Sequence, residues 1–384
     1  MVRFLISLLV IIAAATGSFF ILMSLPAPPE PVVNMKPEGI SQSTVSEVRI
    51  PRKDLLAQDK SRVWVQARVG NDIPKDAAIL VDLRSNESIC LVTGAHPLGW
   101  LNSDSVLFYW EGSLDPIWIR LFRKFGAQIQ RHHVTRFFRV DLSTGKVSVL
   151  ADLETDSAMM FSSLSPDARW LVATWGPMQA YEISLQDGKV TPRIDEKYVW
   201  APCFVDNDQY FFVGETSLQS RTPGTSSSER ASQPLLQEIR DAIKLKGTPS
   251  IEVCGRIQGQ VYSIDHVPDG RFDRLLVLDE RTRIMKEITQ LEPSRTLPDF
   301  RSDGSAVVYQ GNPYTRTQDT VFLQQVAEGS TPGVLVEGIS GQGYADPLFI
   351  GGDRVLFVHR GTELRSIPAE GGEHTLHWPQ SLLP

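Results

Sequence analysis

The residue types that could do chemistry are scattered through this sequence and form no recognised catalytic or metal-binding pattern. The segment GISG at 338–341 is not a nucleophile elbow, because its second glycine comes one residue too early for Gly-x-Ser-x-Gly. His374 and His377 stand three residues apart, but in a segment that we predict to be a strand and a tail. His132 and His133 are adjacent and diverge on either a helix or a strand. We therefore predict no catalytic residues, no metal site and no cofactor.

The cysteines and the short polar motifs also favour structural interpretations. Cys90, Cys203 and Cys254 are far apart and lack the CxxC or Cys/His spacing of a zinc site. Buried free thiols are the favoured interpretation, and a Cys203–Cys254 disulfide outside the cytoplasm stays open. The acidic run 206–208 lacks the glycine and the closing glutamate of a calcium loop, so it predicts a turn. The triplet 86–88 is a lone N-glycosylation sequon.

A basic and aromatic segment, 111–136, is the stretch whose composition best suits an interaction surface. Its large apolar residues recur at helical spacing, and no acidic residue occurs between 117 and 140. Such a pattern is typical of a helix that lies on a membrane surface or docks a partner. The favoured alternative, because such patterns more often mark a packed surface helix, is a helix that packs on the rim of the domain with its basic face in water. The candidate partner- or membrane-binding residues are Trp118, Arg120, Phe122, Arg123, Lys124, Phe125 and Arg131.

Composition excludes one broad class of function. The chain has 384 residues, of which 42% are apolar and 22% charged, as expected of a globular protein with a substantial core. Its 38 basic and 45 acidic residues give a net charge of −7. A general nucleic-acid binder carries a basic surface, so we predict no nucleic-acid partner.

The N-terminus predicts attachment to a membrane. Residues 4–25 form an uncharged apolar run, and a helix needs about 20 such residues to cross a bilayer. We predict an uncleaved transmembrane signal anchor over 1–25, a proline-rich linker over 26–45, and a domain over 46–384. The charges around the run place the domain outside the cytoplasm, in the periplasm or at the cell surface. Cleavage near 13–18 and secretion is the alternative.

The rest of the chain repeats one structural unit. Short β-branched and aromatic runs alternate with Asp, Gly, Ser and Asn turns, and they can be arranged as six units of four strands. One such meander cannot bury both of its faces, whereas successive units stacked in a ring can. The sequence therefore predicts an all-β fold, a six-bladed β-propeller of four-stranded antiparallel blades, preceded by one N-terminal transmembrane helix.

Two long connections stand out in this arrangement, 111–136 in the second unit and 214–273 in the fourth. Both fall between the second and third strands of a unit, so we expect both on the same face of the disc. The second begins with a low-complexity stretch, 217–232, that predicts disorder. Two interpretations of the connection 214–273 stay open: a partner-binding segment, and a surface insertion without a binding role.

Three turns carry a family resemblance. The residues Ser165-Pro166-Asp167-Ala168 and their continuation to Val172 resemble the Ser-Pro-Asp-Gly-Lys/Arg-x-Leu/Ile-Ala signature of TolB-like propeller repeats. The stretches 301–304 and 364–372 are similar. The resemblance covers roughly 60–380 and implies a six-bladed propeller. Because the motif encodes turns, it indicates a fold rather than an activity.

Function is then predicted at the level of a class. We expect a membrane-anchored, non-catalytic propeller that binds a protein or peptide partner or acts as a scaffold. The alternative is a propeller enzyme, a lyase or hydrolase, with a polar site at the mouth of the central channel. Trp110, Trp118 and Trp200 are candidates for that mouth. Clustered His, Asp or Glu with perturbed titration there would favour the enzyme.

Overall fold

The structure, a computed structural model, describes much of the chain beyond the N-terminus. The described residues are 30–35, 37, 45–51, 53–70, 75–113, 133–155, 157–175, 179–193, 198–246, 251–267, 272–292, 298–311, 320–337, 345–351 and 353–379. The predicted anchor, 1–25, lies outside them. Within them no helix is long and apolar enough to cross a membrane. Placement outside the cytoplasm therefore stays a prediction.

Seven antiparallel sheets, the blades, follow one another along the described chain. In each blade four consecutive strands, a to d, run from the innermost to the outermost. The first blade carries one additional strand, β1, outside its strand d. The blades share apolar clusters between neighbouring sheets, which is how a propeller buries both faces of every sheet.

The strands of blades 1 to 4 are β1 (Val32–Asn34), β2 (Val45–Arg49), β3 (Arg62–Val69), β4 (Lys75–Asp82), β5 (Glu87–Thr93), β6 (His96–Asn102), β7 (Ser105–Ser113), β8 (His133–Asp141), β9 (Val147–Thr155), β10 (Phe161–Leu164), β11 (Trp170–Thr174), β12 (Ala180–Ser184), β13 (Val190–Pro192), β14 (Trp200–Phe204), β15 (Tyr210–Val213), β16 (Ser217–Arg221) and β17 (Glu229–Pro234). Those of blades 5 to 7 are β18 (Ile251–Ile257), β19 (Gln260–His266), β20 (Asp273–Asp279), β21 (Ile284–Leu291), β22 (Asp299–Phe300), β23 (Ala306–Gln310), β24 (Val321–Gln325), β25 (Gly333–Val336), β26 (Leu348–Ile350), β27 (Arg354–His359), β28 (Glu363–Pro368) and β29 (Thr375–Trp378). A 3₁₀ turn (Lys53–Leu55) and helix α1 (Gln237–Lys246) complete the described elements.

The prediction of six blades is wrong, and the additional blade comes from 214–273. This stretch, predicted as an insertion, supplies β16 and β17 of blade 4 and β18 and β19 of blade 5. The expected disorder over 217–232 is wrong for the same reason, since β16 and β17 are paired there. The polar side chains of these strands are the reason that the sequence pattern does not reveal them. The Ser232 hydroxyl, for example, is buried and accepts a hydrogen bond from the Leu218 N–H at 3.0 Å. Main-chain pairing and such local bonds replace the alternating apolar residues that sequence patterns depend on.

The two faces of the disc carry different kinds of connection. The a–b and c–d turns are short and lie on one face, here called the turn face. The b–c and d–a connections lie on the opposite face, the connection face. Several turns are fixed by an aspartate that accepts main-chain N–H groups two and three residues on, as Asp141 does from Ser143 and Thr144. Hydrogen bonds from the Ser143 and Thr144 hydroxyls, together with these main-chain bonds, lower the pKa of Asp141 to about 2.

The ring closes between blade 7 and blade 1 without an exchange of strands, because each of these blades is built from consecutive segments. The junction, here called the seam, is held by individual hydrogen bonds. Their partners are Val48 N–H and Gly361 carbonyl at 2.6 Å, His377 Nδ1 and Asn86 Oδ1 at 2.7 Å, and Trp378 Nε1 and Ser88 Oγ at 2.6 Å. Asn86, the sequon asparagine, therefore uses its side chain in closing the ring.

The seam predicts a dependence of stability on pH. Burial of the imidazole and the charge of Arg354 lower the pKa of His377 below its ordinary value. The unfolded chain then takes up the proton first, so the free energy of unfolding falls as the pH drops below about 6.5. We expect His377→Asn to be less stable than wild type at pH 8, because bonds to Asn86 and Ser366 are lost. The variant should also lose less stability between pH 7 and pH 5.

Urea unfolding at a series of pH values measures both effects. An equally steep decline in the variant and the wild type would show that another group causes the pH dependence.

Two equivalent a–b turns carry different residues at their left-handed position. In blade 3 the Ala168 N–H bonds the Ser165 carbonyl at 2.8 Å, and in blade 6 the Gly304 N–H bonds the Arg301 carbonyl at the same distance. Both residues are left-handed, with φ of +55° for Ala168 and +74° for Gly304. Ala168 stands where the TolB-like signature has glycine. The structure shows that this alanine adopts the left-handed conformation usual for glycine, at a steric cost.

Reciprocal substitutions test this cost. We expect Ala168→Gly to raise the free energy of unfolding by roughly 0.5–1 kcal/mol, because the left-handed penalty exceeds the added freedom of the unfolded chain. We expect Gly304→Ala to lower it by about 1 kcal/mol or more. Its new Cβ would also lie 3.2 Å from Ile257 Cγ2. Urea unfolding of both variants gives the two values, and changes of the same sign would contradict the assignment.

Candidate binding site in the central channel

The inner strand of blade 1 leaves its sheet and crosses into the channel on the propeller axis. Strand β2 pairs with β3 as far as Arg49 and Gln66, and pairing resumes only at Leu56 and Val63. The described residues between these points, 50, 51 and 53–55, form the segment here called the plug, whose 3₁₀ turn ends at the buried Leu55. The Leu55 carbonyl accepts a hydrogen bond from Trp100 Nε1 at 2.9 Å. This bond holds the plug against β6 of blade 2.

Two glycines make room for the plug. A Cβ on Gly99 of β6 would lie 3.1 Å from Leu164 Cδ2 and 3.2 Å from Asp54 Cβ. A Cβ on Gly255 of β18 would lie 3.2 Å from Lys53 Nζ, and Gly255 has a φ of +155°. The plug is therefore close to the inner strands of blades on two sides of the channel, and both strands carry a glycine at the contact.

Lys53 spans the channel from blade 1 to the opposite side of the ring. Its ammonium donates a hydrogen bond to the Cys254 carbonyl of blade 5 at 2.6 Å, while the side chain stays accessible to water. Desolvation of the ammonium by the channel walls lowers the pKa of Lys53, but the negative charges around it, among them Asp54 and Asp299, outweigh this effect and raise the pKa above its ordinary value. Lys53 is thus a fixed positive charge at the centre of the molecule.

A cavity of about 310 Å³ lies beside the plug, at the end of the channel where the inner strands begin. Its walls come from every blade except blade 2, which the plug covers. They are largely apolar and carry a few charged groups, as small-ligand sites do. The lining residues are Ile50, Pro51, Lys53, Asp54, Met160, Phe161, Ser162, Ser163, Pro202, Cys203, Glu252, Val253, Cys254, Pro298, Asp299, Asp346, Pro347 and Leu348.

Two carboxylates of the cavity also hold the ring together. The buried Asp346 accepts the Ile50 N–H at 2.9 Å and lies 3.8 Å from Arg49 Nε, so it links blade 7 to the plug. Asp299 accepts the Phe349 N–H at 2.8 Å and so links blade 6 to blade 7. Burial raises the pKa of Asp299 above its ordinary value, although the charge of Lys53 acts in the opposite direction.

Glu252 at the wall of the cavity faces a charged histidine. His266 Nε2 lies 3.9 Å from Glu252, and His266 Nδ1 bonds Asp273 at 3.1 Å. Burial lowers the pKa of His266, but hydrogen bonds with Asp273 and Glu252 raise it to about 10. His266 is therefore protonated at neutral pH, and its single charge is shared between Asp273 and Glu252. Among the described lining residues, the Lys53 ammonium is the one cation, beside the carboxylates Asp54, Glu252, Asp299 and Asp346.

The arrangement suits binding better than nucleophilic chemistry. Burial raises the pKa of the Cys203 and Cys254 thiols, so neither becomes a thiolate readily. Lys53 stays protonated and so is no base. The Ser163 hydroxyl accepts the Phe204 N–H at 2.9 Å, and no histidine is among the described lining residues.

The predicted surface residues are not tested by the structure. All seven candidates of the basic segment fall within 114–132, outside the described residues. The segment leaves β7 at Ser113 and returns at His133, and these two residues are paired at the connection face. The expectation that this connection lies on that face is supported at its two ends. No second insertion accompanies it, since 214–273 belongs to the blades.

The other residues singled out in the sequence contribute to packing or to contacts between blades. The three cysteines are buried free thiols. Trp200 is buried against Phe161, with ring centres 4.8 Å apart. His377 lies in the seam and the His374 ring packs on Phe357, 5.4 Å between centres. Among the described residues, no group of three or more His, Cys, Asp and Glu is placed to hold a metal ion.

Sequence reasoning missed the charged residues of the channel, although a signal existed. Blades 4, 6 and 7 each contain Pro-x-Phe before the a–b turn, at 202–204, 298–300 and 347–349. The central residues, Cys203, Asp299 and Leu348, all line the cavity. Repeats that align by their turns thus identify the residues that face the axis.

Comparison with known proteins shows the fold. No protein-family model and no curated protein matches the chain. It is similar to an oligogalacturonate lyase solved in complex with manganese, with a TM-score of 0.55 and 11% identity over 91% of this chain and 90% of that one. It is also similar to the β-propeller domain of the Trilobed protease from Pyrococcus furiosus, described as having an open velcro topology, with a TM-score of 0.53 and 10% identity over 88% and 95% of the two chains. TolB from Acinetobacter baumannii gives a TM-score of 0.42 and 13% identity over 86% and 69%.

These likenesses define the class of protein. At such identities the two likenesses with TM-scores above 0.5 show the fold alone, a β-propeller. The fold and the channel together describe a seven-bladed β-propeller protein with a partly filled axis.

Gly99 provides a test of the plug. We expect Gly99→Ala to lower the free energy of unfolding by about 1–3 kcal/mol, because the added methyl group overpacks the contact with Asp54 and Leu164. Gly351→Ala is the matched control, since a Cβ there meets nothing within 4 Å. Urea unfolding compares the two variants. Equal stability of both would show that the plug does not lie as closely against β6 as described.

Proposed function

We propose that this propeller is a non-catalytic binding module that receives a protein or peptide partner at the connection-face end of its channel. The observation that carries the proposal is the cavity beside the plug, with apolar walls and a fixed ammonium and carboxylates inside. A side chain or chain end of a partner can bury apolar surface against the walls and use its polar groups on Lys53, Asp54 and Asp299. The rest of the disc supplies the rigid frame that such recognition needs.

The described walls support this choice of partner. The prolines 202, 298 and 347 give walls with no side-chain freedom to lose on binding, and exposed Met160 adds an adaptable apolar side chain at the rim. The carboxylates and the ammonium match the N–H and C=O groups that a peptide presents, so no strongly charged ligand is required.

The second candidate function is an enzyme, and one observation favours it. Asp299 is a carboxyl group in a cavity with a pKa raised by burial, which is a property of general acids. A lyase or hydrolase would use Asp299 to protonate a leaving group, with Lys53 stabilising negative charge. The binding role is preferred because burial raises the pKa of both thiols, Lys53 stays protonated, and no histidine is among the described lining residues.

Peptide display against the purified protein tests the proposal. We expect enriched peptides to bind with at least tenfold weaker affinity to Asp299→Asn and to Met160→Trp, which alter the polar group and the rim of the cavity. Val334→Ala, on the exposed outer strand β25, is the control and should bind as wild type does. Fluorescence anisotropy with synthetic peptides gives the affinities.

Peptides that bind all four proteins equally would place recognition outside the channel and contradict the proposal. Mass spectrometry of the incubated peptides, together with a panel of chromogenic glycoside and ester substrates, tests the enzyme. Turnover that disappears in Asp299→Asn would reverse the order of the two candidates.

A further inference from the structure

A second cavity, separate from the channel, lies between blades 1 and 2 on the connection face. Its volume is about 440 Å³, within the usual range for small-molecule sites. We call it the blade 1–2 cleft. Its lining residues are Glu47, Arg49, Gln66, Ala67, Arg68, Asp76, Ala77, Ala78, Gly94, Ala95, His96, Trp110 and Glu111. None of them lines the channel cavity.

The floor of the cleft consists of small side chains. Ala78 of β4 pairs with Gln66 of β3 and lies on the same face of the sheet, and the Gln66 side chain reaches His96 of blade 2. Ala78 and Ala95 are buried, and Gly94 continues the floor at the start of blade 2. Gly94 has a φ of +84°, a conformation that disfavours a side chain. A shallow apolar floor of this kind receives the CH face of a small ring without any side chain having to move.

Trp110 forms an aromatic wall of the cleft. A Cβ on Gly112 would lie 2.4 Å from Cζ2 of Trp110. The glycine therefore leaves the space beside β7 that the indole occupies. The indole nitrogen has no hydrogen-bond acceptor among the described residues. The wall thus offers both an aromatic face and an N–H donor.

Donors and acceptors alternate around the rim. Arg68 bonds Asp76 through Nε at 3.0 Å and Glu47 through Nη1 at 3.1 Å, so the three exposed side chains lie together at the rim. Gln66 Nε2 lies 3.4 Å from His96 Nδ1, and this pair faces the same cavity. The formal charges of the lining, three carboxylates and two guanidinium groups, nearly cancel.

We propose that the blade 1–2 cleft binds a neutral sugar ring of hexopyranose size. A sugar has an apolar CH face for the alanine floor and the indole, and its hydroxyl groups both donate and accept, as the mixed rim requires. A nucleotide would require an excess of positive charge. An added peptide strand would require a free sheet edge in the cleft. The strands β3 and β4 are both paired on their two sides, and the free edges of β2 and β6 face the propeller axis.

Saturation-transfer difference NMR with methyl β-D-glucopyranoside and methyl β-D-galactopyranoside tests the proposal. We expect saturation transfer to at least one of them and a shift of the Trp110 indole N–H signal. Trp110→Ala and Arg68→Ala should weaken binding at least tenfold, the first by removing the wall and the second by releasing the rim. Met160→Ala, at the channel cavity, should bind as wild type does.

Glucuronate and glucosamine serve as the anionic and cationic arms and should bind at least tenfold more weakly. Urea unfolding establishes that each variant is folded, and His96→Ala replaces Trp110→Ala if the latter is not. Binding of a charged sugar alone, binding that survives both cleft variants, or no saturation transfer from any probe would each overturn the proposal. Because channel and cleft share no lining residue, peptide binding by the channel can fail or succeed independently.

Discussion

The hydrogen bond from the Lys53 ammonium to the Cys254 carbonyl connects opposite sides of the ring, and the organisation of the channel depends on it. The innermost strand of each blade has a partner on one side only, so its unpaired main-chain groups face the axis. A charged side chain that crosses the axis satisfies one of these groups and prevents the channel from being a simple pore. Glycines at 99 and 255 give the space that this crossing requires.

The seam and the channel cavity share one carboxylate. Asp346 of blade 7 accepts the N–H of Ile50, the first residue of the plug, and also lines the cavity. Because blades 1 and 7 exchange no strand, such individual bonds and the apolar cluster that the two blades share hold the two ends of the ring together. A ligand that binds only the closed ring therefore stabilises the seam as well, by mass action. Binding and ring closure are thus coupled through the plug in this architecture.

The sequence predicted the repeating unit but not the number of units, and particular strands show why. In blade 3, Leu171, Val172 and Ala173 are buried between turn residues, which is the pattern that sequence analysis recognises. In blade 4, β16 and β17 contain mostly polar residues and hold their places by main-chain pairing and the Ser232 hydroxyl. That composition is also typical of disordered segments, so the strands could not be recognised from it.

By itself the sequence determined an all-β protein of stacked four-stranded units, with aspartate- and glycine-based turns at predictable places. Those features depend on residues a few positions apart, and local patterns record them directly. Only the tertiary structure decided that there are seven blades and that Lys53 lies beside Asp299 in the channel. These outcomes depend on contacts such as Lys53 with Cys254 and Ile50 with Asp346, which are 201 and 296 residues apart. No pattern within a single repeat carries that information, because it exists only once the ring is closed.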